Sequence, residues 1–97
     1  MSDKATLIVT AMPNPNEMES LKRYQEEAGK LFDQAGAVVK NKFEIQSQPI
    51  GSAMKKMVFV VEFDSTETIN NLFDSEEYKA LIPFREKGFV SLDAYVG

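Results

Sequence analysis

Met57-Val58-Phe59-Val60-Val61-Glu62-Phe63 is a β-branched and aromatic run that carries a single charge. Successive residues of a strand point to opposite faces, so Met57, Phe59, Val61 and Phe63 share one side while Val58 and Val60 share the other. A strand that is apolar front and back belongs in the middle of a sheet with both faces covered. Thr6-Leu7-Ile8-Val9-Thr10-Ala11-Met12 repeats the pattern. Leu7, Val9 and Ala11 point one way, Ile8, Met12 and the threonine methyls the other, and Pro13 closes the run. These two stretches predict a pair of central strands.

The flanking stretches read differently. From Val38 to Gln48 the alternation is strict, with Val39, Asn41, Phe43 and Ile45 on one face and Lys40, Lys42, Glu44 and Gln46 on the other. One charged face discourages unwanted pairing, which is the mark of an edge strand. Gln48-Pro49-Ile50-Gly51-Ser52 is a turn, and Val90 to Val96 supplies a fourth strand.

Between the strands lie two helical patterns. In Asn14-Pro15-Asn16-Glu17, Asn14 is placed to cap, Pro15 suits the first helical position and Glu17 would complete a capping box. Met18, Leu21, Tyr24, Ala28, Leu31, Phe32 and Ala35 then recur on one helical face up to Gly36, the expected stop. Ser65 is placed to cap a second helix that buries Ile69, Leu72 and Phe73. Asp74-Ser75 reads as an interruption with a second cap before Glu76 and Glu77, and Pro83 predicts a kink or an end of regular helix.

The order is βαββαβ. It matches an α+β, ferredoxin-like antiparallel sheet with strands one and three central, two and four at the edges, and two helices on one face. Two helices cover one side of a four-stranded sheet, so the second apolar side calls for another cover. An identical sheet is the economical one, making a two-fold dimer with a barrel-like interior. A chain of 97 residues is the size of a single domain, spanning 1–97, and hides only about 60–65% of its unfolded surface by folding alone, so self-association would help it.

Composition narrows the function. Eleven basic against fifteen acidic residues give a net charge of −4, and the basic residues are scattered, which argues against a phosphate backbone and hence against nucleic acid as partner. With no cysteine there is no disulfide, thiol nucleophile or thiolate metal site. Histidine is missing too, which removes the usual neutral-pH base and the commonest ligand for a transition metal. Glu26-Glu27 and Glu76-Glu77 are adjacent pairs that diverge around a helix and would not chelate together. No phosphate loop or dinucleotide glycine fingerprint occurs. We therefore expect neither a metal nor a cofactor. Met1-Ser2-Asp3-Lys4 leads straight into the first strand without a signal-like apolar core, and no stretch approaches bilayer length, so the expectation is a cytoplasmic protein with no membrane contact.

The chemistry is concentrated in Tyr78, Leu81, Ile82, Arg85 and Phe89, an apolar stripe carrying one arginine. A permanent cation facing a core needs a partner. Arg85 follows Tyr78 by seven positions, so the two share a face if the helix continues past Pro83. In one reading Arg85 orients the carboxylate, carbonyl or enolate of a small molecule and the Tyr78 hydroxyl adds a hydrogen bond. In the other, Arg85 pairs with Glu62 or Asp93 and Tyr78 is a core ring with a wet tip. Tyr24, on the buried stripe of the first helix, could line the same cavity from the opposite side or be plain core. Glu62 shares the face of Val58 and Val60; it reaches Arg85 if that face meets the helices and lines a dimer interface if it meets a partner sheet.

The whole order of elements, and above all Asp74-Ser75-Glu76-Glu77-Tyr78-Lys79-Ala80-Leu81-Ile82-Pro83-Phe84-Arg85 after the strand ending Val61-Glu62-Phe63, resembles the domain of unknown function thirteen-thirty family within the dimeric α/β-barrel superfamily. The resemblance implies a ferredoxin-like protomer, a homodimer and a pocket between helices and sheet. Family members commonly have paired glycines after the first helix and a glycine-rich central turn, where this chain has Ala35-Gly36-Ala37 and Pro49-Ile50-Gly51-Ser52. The superfamily includes cofactor-free monooxygenases, isomerases and dehalogenating enzymes beside members of no established activity, so kinship does not choose a reaction. Three readings stand: a homodimer binding a small organic molecule, neutral or anionic, at Arg85, Tyr78, Tyr24 and Glu62; a cofactor-free enzyme acting on an enolisable substrate; and a non-catalytic interaction module.

Overall fold

The computed structural model describes residues 4–97; the N-terminal reading of Met1 to Asp3 lies outside the described residues. Strands β1 (Ala5–Pro13), β2 (Val38–Glu44), β3 (Met57–Phe63) and β4 (Phe89–Val96) form one antiparallel sheet in the order β2-β3-β1-β4. The two strands apolar on both sides are the central ones, and the charged one is an edge. Helix α1 (Met18–Gln34) links β1 to β2, and α2 (Thr66–Asp74), α3 (Glu76–Lys79) and α4 (Ile82–Gly88) link β3 to β4. The fold is α+β and ferredoxin-like.

Register assigns the faces. Ala5, Leu7, Val9 and Ala11 of β1 lie opposite Phe63, Val61, Phe59 and Met57 of β3, on the side the helices cover. Ala5, Leu7, Ala11, Val61 and Phe63 join Leu21, Tyr24 and Ala28 of α1 and Ile69 and Leu72 of α2 in a single core, with Phe63, Leu7 and Ile69 its largest fully enclosed side chains. Burying a side chain of that size stabilises the fold by about 1.5–3 kcal/mol each. No buried residue comes from the opposite face, where Ile8 and Val60 sit side by side and Ile8, Val38, Phe43 and Tyr95 are exposed.

Two local readings change. Asn14 does not cap α1. Its side-chain oxygen accepts from the Asn16 amide at 3.0 Å, its own amide donates to the Gly88 carbonyl at 2.9 Å, and the helix begins only at Met18, with no side-chain cap. The Asn14 side chain satisfies a local turn, and tertiary bonds hold its backbone outside the helix. Gly36 is the stop, at φ +77°.

The second helix breaks where Ser75 and Pro83 predicted it would. Ser75 Oγ donates to the Leu72 carbonyl at 2.7 Å and accepts from the Tyr78 amide at 3.2 Å, so one hydroxyl closes α2 and opens α3. Pro83 falls in the first turn of α4, where its missing N–H costs nothing.

The second change concerns β2. Val39 lies opposite Val61, but Asn41 lies opposite Val60 and Lys42 opposite Phe59, so the register shifts across Lys40. This bulge reverses the alternation. Val39 and Lys42 face the helices, whereas Asn41 and Phe43 join Val58 and Val60 on the outer side.

Candidate functional site

Between α1 and the helix-facing side of the sheet is a cavity of about 390 Å³, walled by Val9, Ala11, Phe59, Val61, Leu92 and Ala94 below and by Tyr24, Ala28, Gly29 and Phe32 above. The small residues Ala28 and Gly29 leave this space open, and a Cβ on Gly29 would meet nothing within 4 Å. The volume lies within the range of small-molecule sites, roughly 300–1,000 Å³. A second, open groove of about 600 Å³ runs beside β4 and is edged by Asn70, Lys79, Ile82, Arg85 and Glu86. Phe73, Tyr78, Phe89, Leu92 and Ala94 line both, so they form the wall between them.

Across that wall runs a line of polar atoms. Arg85 Nη1 donates to the Tyr78 hydroxyl at 3.2 Å, and the Tyr78 and Tyr24 hydroxyls are 2.7 Å apart. Ser75 anchors the backbone of Tyr78 from the start of α3, and the single turn at Ala80 and Leu81 brings Arg85 back over the same ring at 5.8 Å. Tyr78 packs edge-on against Phe73 and Tyr24, with centroids 4.8 and 6.2 Å away, and Tyr24 packs edge-on against Phe89 at 5.5 Å. The rings therefore fix the hydroxyls.

Electrostatics sets what this line does. Burial, reinforced by the hydrogen bond and charge of Tyr78, pushes the Tyr24 hydroxyl far above the ordinary phenol range, the attraction of Arg85 notwithstanding. Tyr24 stays protonated. For Arg85, burial disfavours the charged form, but the bond to Tyr78 and the nearby Tyr24 and Glu86 outweigh it and move the guanidinium upward, so it remains a cation. The bond that raises Tyr24 is one made by its protonated form, so Tyr24 donates to Tyr78, whose oxygen accepts from Arg85 as well and whose own O–H is left as the donor available to the cavity it lines.

The structure brings together three of the four residues singled out in the sequence. Arg85, Tyr78 and Tyr24 form one hydrogen-bonded series, with Arg85 on the groove side and Tyr24 on the cavity side. Glu62 is not with them. It lies on the outer face, 3.3 Å from Lys4 and 3.8 Å from Lys40, and Asp93 is likewise on the outer face with Lys55. The expected ion pair of Arg85 with Glu62 or Asp93 is absent because strand parity turns both carboxylates away; its neighbour is Glu86, at 3.6 Å. Sequence reasoning missed Lys42, which the bulge brings to the cavity, its ammonium 5.6 Å from the centre of the Phe59 ring. A strict period of two cannot reveal a bulge.

Fold and cavity together define a ferredoxin-like α+β protein with a pocket between helix and sheet. Residues 5–94 match the family described as domain of unknown function (DUF1330), and the chain belongs to that family. No curated protein matches it. Among solved structures, a protein of unknown function from Rhodopseudomonas palustris is similar with a TM-score of 0.83 at 14% identity, covering 100% of this chain and 82% of its own. A dimeric protein of unknown function with a ferredoxin-like fold from Bacteroides fragilis is similar with a TM-score of 0.63 at 10% identity, covering 100% of this chain and 98% of its own. A NIPSNAP-like domain protein from Burkholderia xenovorans has a TM-score of 0.62 at 11% identity, over 99% of this chain and 84% of its own. At these identities the likeness is one of fold. No helix among the described residues is long and apolar enough to cross a membrane.

Proposed function

We propose that this chain is a single-domain, cytoplasmic homodimer that binds a small organic molecule in the cavity between α1 and the sheet, with the tyrosine pair donating to an oxygen of the ligand. The observation that carries this reading is the hydrogen-bonded line of Arg85, Tyr78 and Tyr24 at the edge of a mainly apolar space whose other polar lining residues are Gln25 and Lys42. An apolar wall supplies affinity and a few convergent polar atoms supply orientation. Binding is favoured over proton abstraction, since Tyr24 is held protonated and no carboxylate lines the cavity among the described residues.

Support for the homodimer comes from the outer face, where Ile8, Val60, Phe43 and Val38 form an apolar surface flanked by the Lys4–Glu62–Lys40 and Lys55–Asp93 pairs. The Bacteroides fragilis protein of like fold is dimeric.

Calorimetric titration of wild type, Tyr24→Phe, Tyr78→Phe and Arg85→Ala with aromatic ketones and phenols tests the site. Loss of the donor line is expected to weaken a genuine ligand by about tenfold. Affinity unchanged in all three variants would remove the line from the site.

A further inference from the structure

Lys42 is the one residue of the cavity that a polar-out edge strand would not have put there. The bulge at Lys40 turns it inward, and register then sets Lys42, Phe59, Val9 and Ala94 in a single row across the sheet from β2 to β4. All four line the cavity. Neighbouring strands lie about 4.8 Å apart, so the row spans roughly 14 Å. Tyr78, which also borders the groove along β4, enters from the opposite end of that row. The sheet floor of the cavity is thus apolar at Phe59, Val9 and Ala94, with the Tyr78 hydroxyl toward the β4 side, the Lys42 ammonium at the β2 rim and Gln25 of α1 the other polar lining residue.

The charge at the rim has no protein partner. Lys40 is 3.8 Å from Glu62 and Lys56 is 3.4 Å from Glu44, whereas Lys42, between them on the same hairpin, has no carboxylate within ion-pair distance among the described residues. Lys42 is solvent-exposed, and its ammonium lies over the Phe59 ring at the open side of the cavity.

We propose that Lys42 makes the cavity selective for carboxylates: its ligand is an elongated apolar acid whose carboxylate pairs with Lys42 at the β2 rim and whose far end carries an oxygen that accepts from the tyrosine pair. This assignment rests on the cavity reading above and adds to it the class of molecule. Arg85 does not touch the acid; it acts through Tyr78, and the carboxylate is read by the lysine. A neutral or cationic ligand of the same shape leaves the ammonium without a counter-charge and forgoes a charge-assisted bond.

The test uses 3-(4-hydroxyphenyl)propanoate, which has a carboxylate at one end and a phenol oxygen at the other, together with its primary amide. Both are titrated calorimetrically into wild type, Lys42→Gln, Lys42→Arg and Tyr24→Phe, with circular dichroism to show that each variant is folded. We expect wild type to bind the acid about tenfold more tightly than the amide, with the preference shrinking as salt is raised. It should vanish in Lys42→Gln, persist in Lys42→Arg, and survive in Tyr24→Phe while acid and amide both weaken equally. An acid preference that remains in Lys42→Gln, or acid and amide binding alike to wild type, overturns the role of Lys42 and leaves the cavity reading standing. Absence of binding by both probes to wild type at millimolar concentration overturns both.

Discussion

Tyr78 holds more of this structure than any neighbouring side chain, because its hydroxyl is the acceptor for Arg85 and the partner of Tyr24 at once. Removing that oxygen leaves a buried hydroxyl and a half-buried guanidinium without their shared contact. Tyr78→Phe should lower stability by about 1–3 kcal/mol, more than Tyr24→Phe, which leaves the Arg85 bond intact. Urea denaturation of the two variants measures the difference. Tyr24 also gives a pH signature. Its folded-state pKa is raised, so its contribution is fully present below the ordinary phenol value and is lost as the pH climbs above it, where only the unfolded chain releases the proton. Above about pH 10 wild type should lose stability more steeply than Tyr24→Phe, as read by denaturation midpoints across an alkaline series. Gly88 is constrained by space. A Cβ there would lie 2.8 Å from both the amide nitrogen and the Cα of Leu21, backbone atoms of α1 that cannot rotate aside. Gly88→Ala is expected to cost about 1–3 kcal/mol by forcing α1 and α4 apart.

At the scale of elements, the sequence was legible wherever periodicity and caps agree. The central strands announced themselves through apolar residues on both faces, and Ser65, Ser75, Gly36 and Pro83 marked boundaries by chemistry that holds locally. Ser75→Ala should cost about 1 kcal/mol, since it removes one hydroxyl serving two helix ends; thermal melting would show it as a lowered midpoint. What was not legible depends on distant partners. Asn14 resembles a cap in sequence, yet Gly88, far along the chain, claims its backbone. The bulge at Lys40 leaves no trace in the alternation of Val38 to Gln48, because the stretch stays regular in hydropathy while its register slips. The grouping of Tyr24, Tyr78 and Arg85 was legible from helical spacing, whereas the inward turn of Lys42 was not. Glu62 was placed by parity on the face of Val58 and Val60, correctly, but only the packing of the helices decides that this face is the one away from Arg85.

For the whole molecule, the decisive fact is a sheet with all its helices on one side. Its other side presents Ile8 and Val60 at the centre and exposed Phe43 and Val38 toward the β2 edge. A charge buried there without a partner would be expensive. Val60→Glu is accordingly expected to convert a dimer into monomers while leaving the helix-side core intact, with light scattering and circular dichroism as the two readouts. A wild-type chain that scatters as a monomer at millimolar concentration would contradict the paired assembly.

The wall between groove and cavity joins the rings of Tyr78, Phe73 and Phe89 to Leu92 and Ala94 of β4. A swing of the Tyr78 side chain would open a passage from the β4 groove to the cavity behind it. The same swing forfeits both of its hydrogen bonds, so the passage is sprung shut.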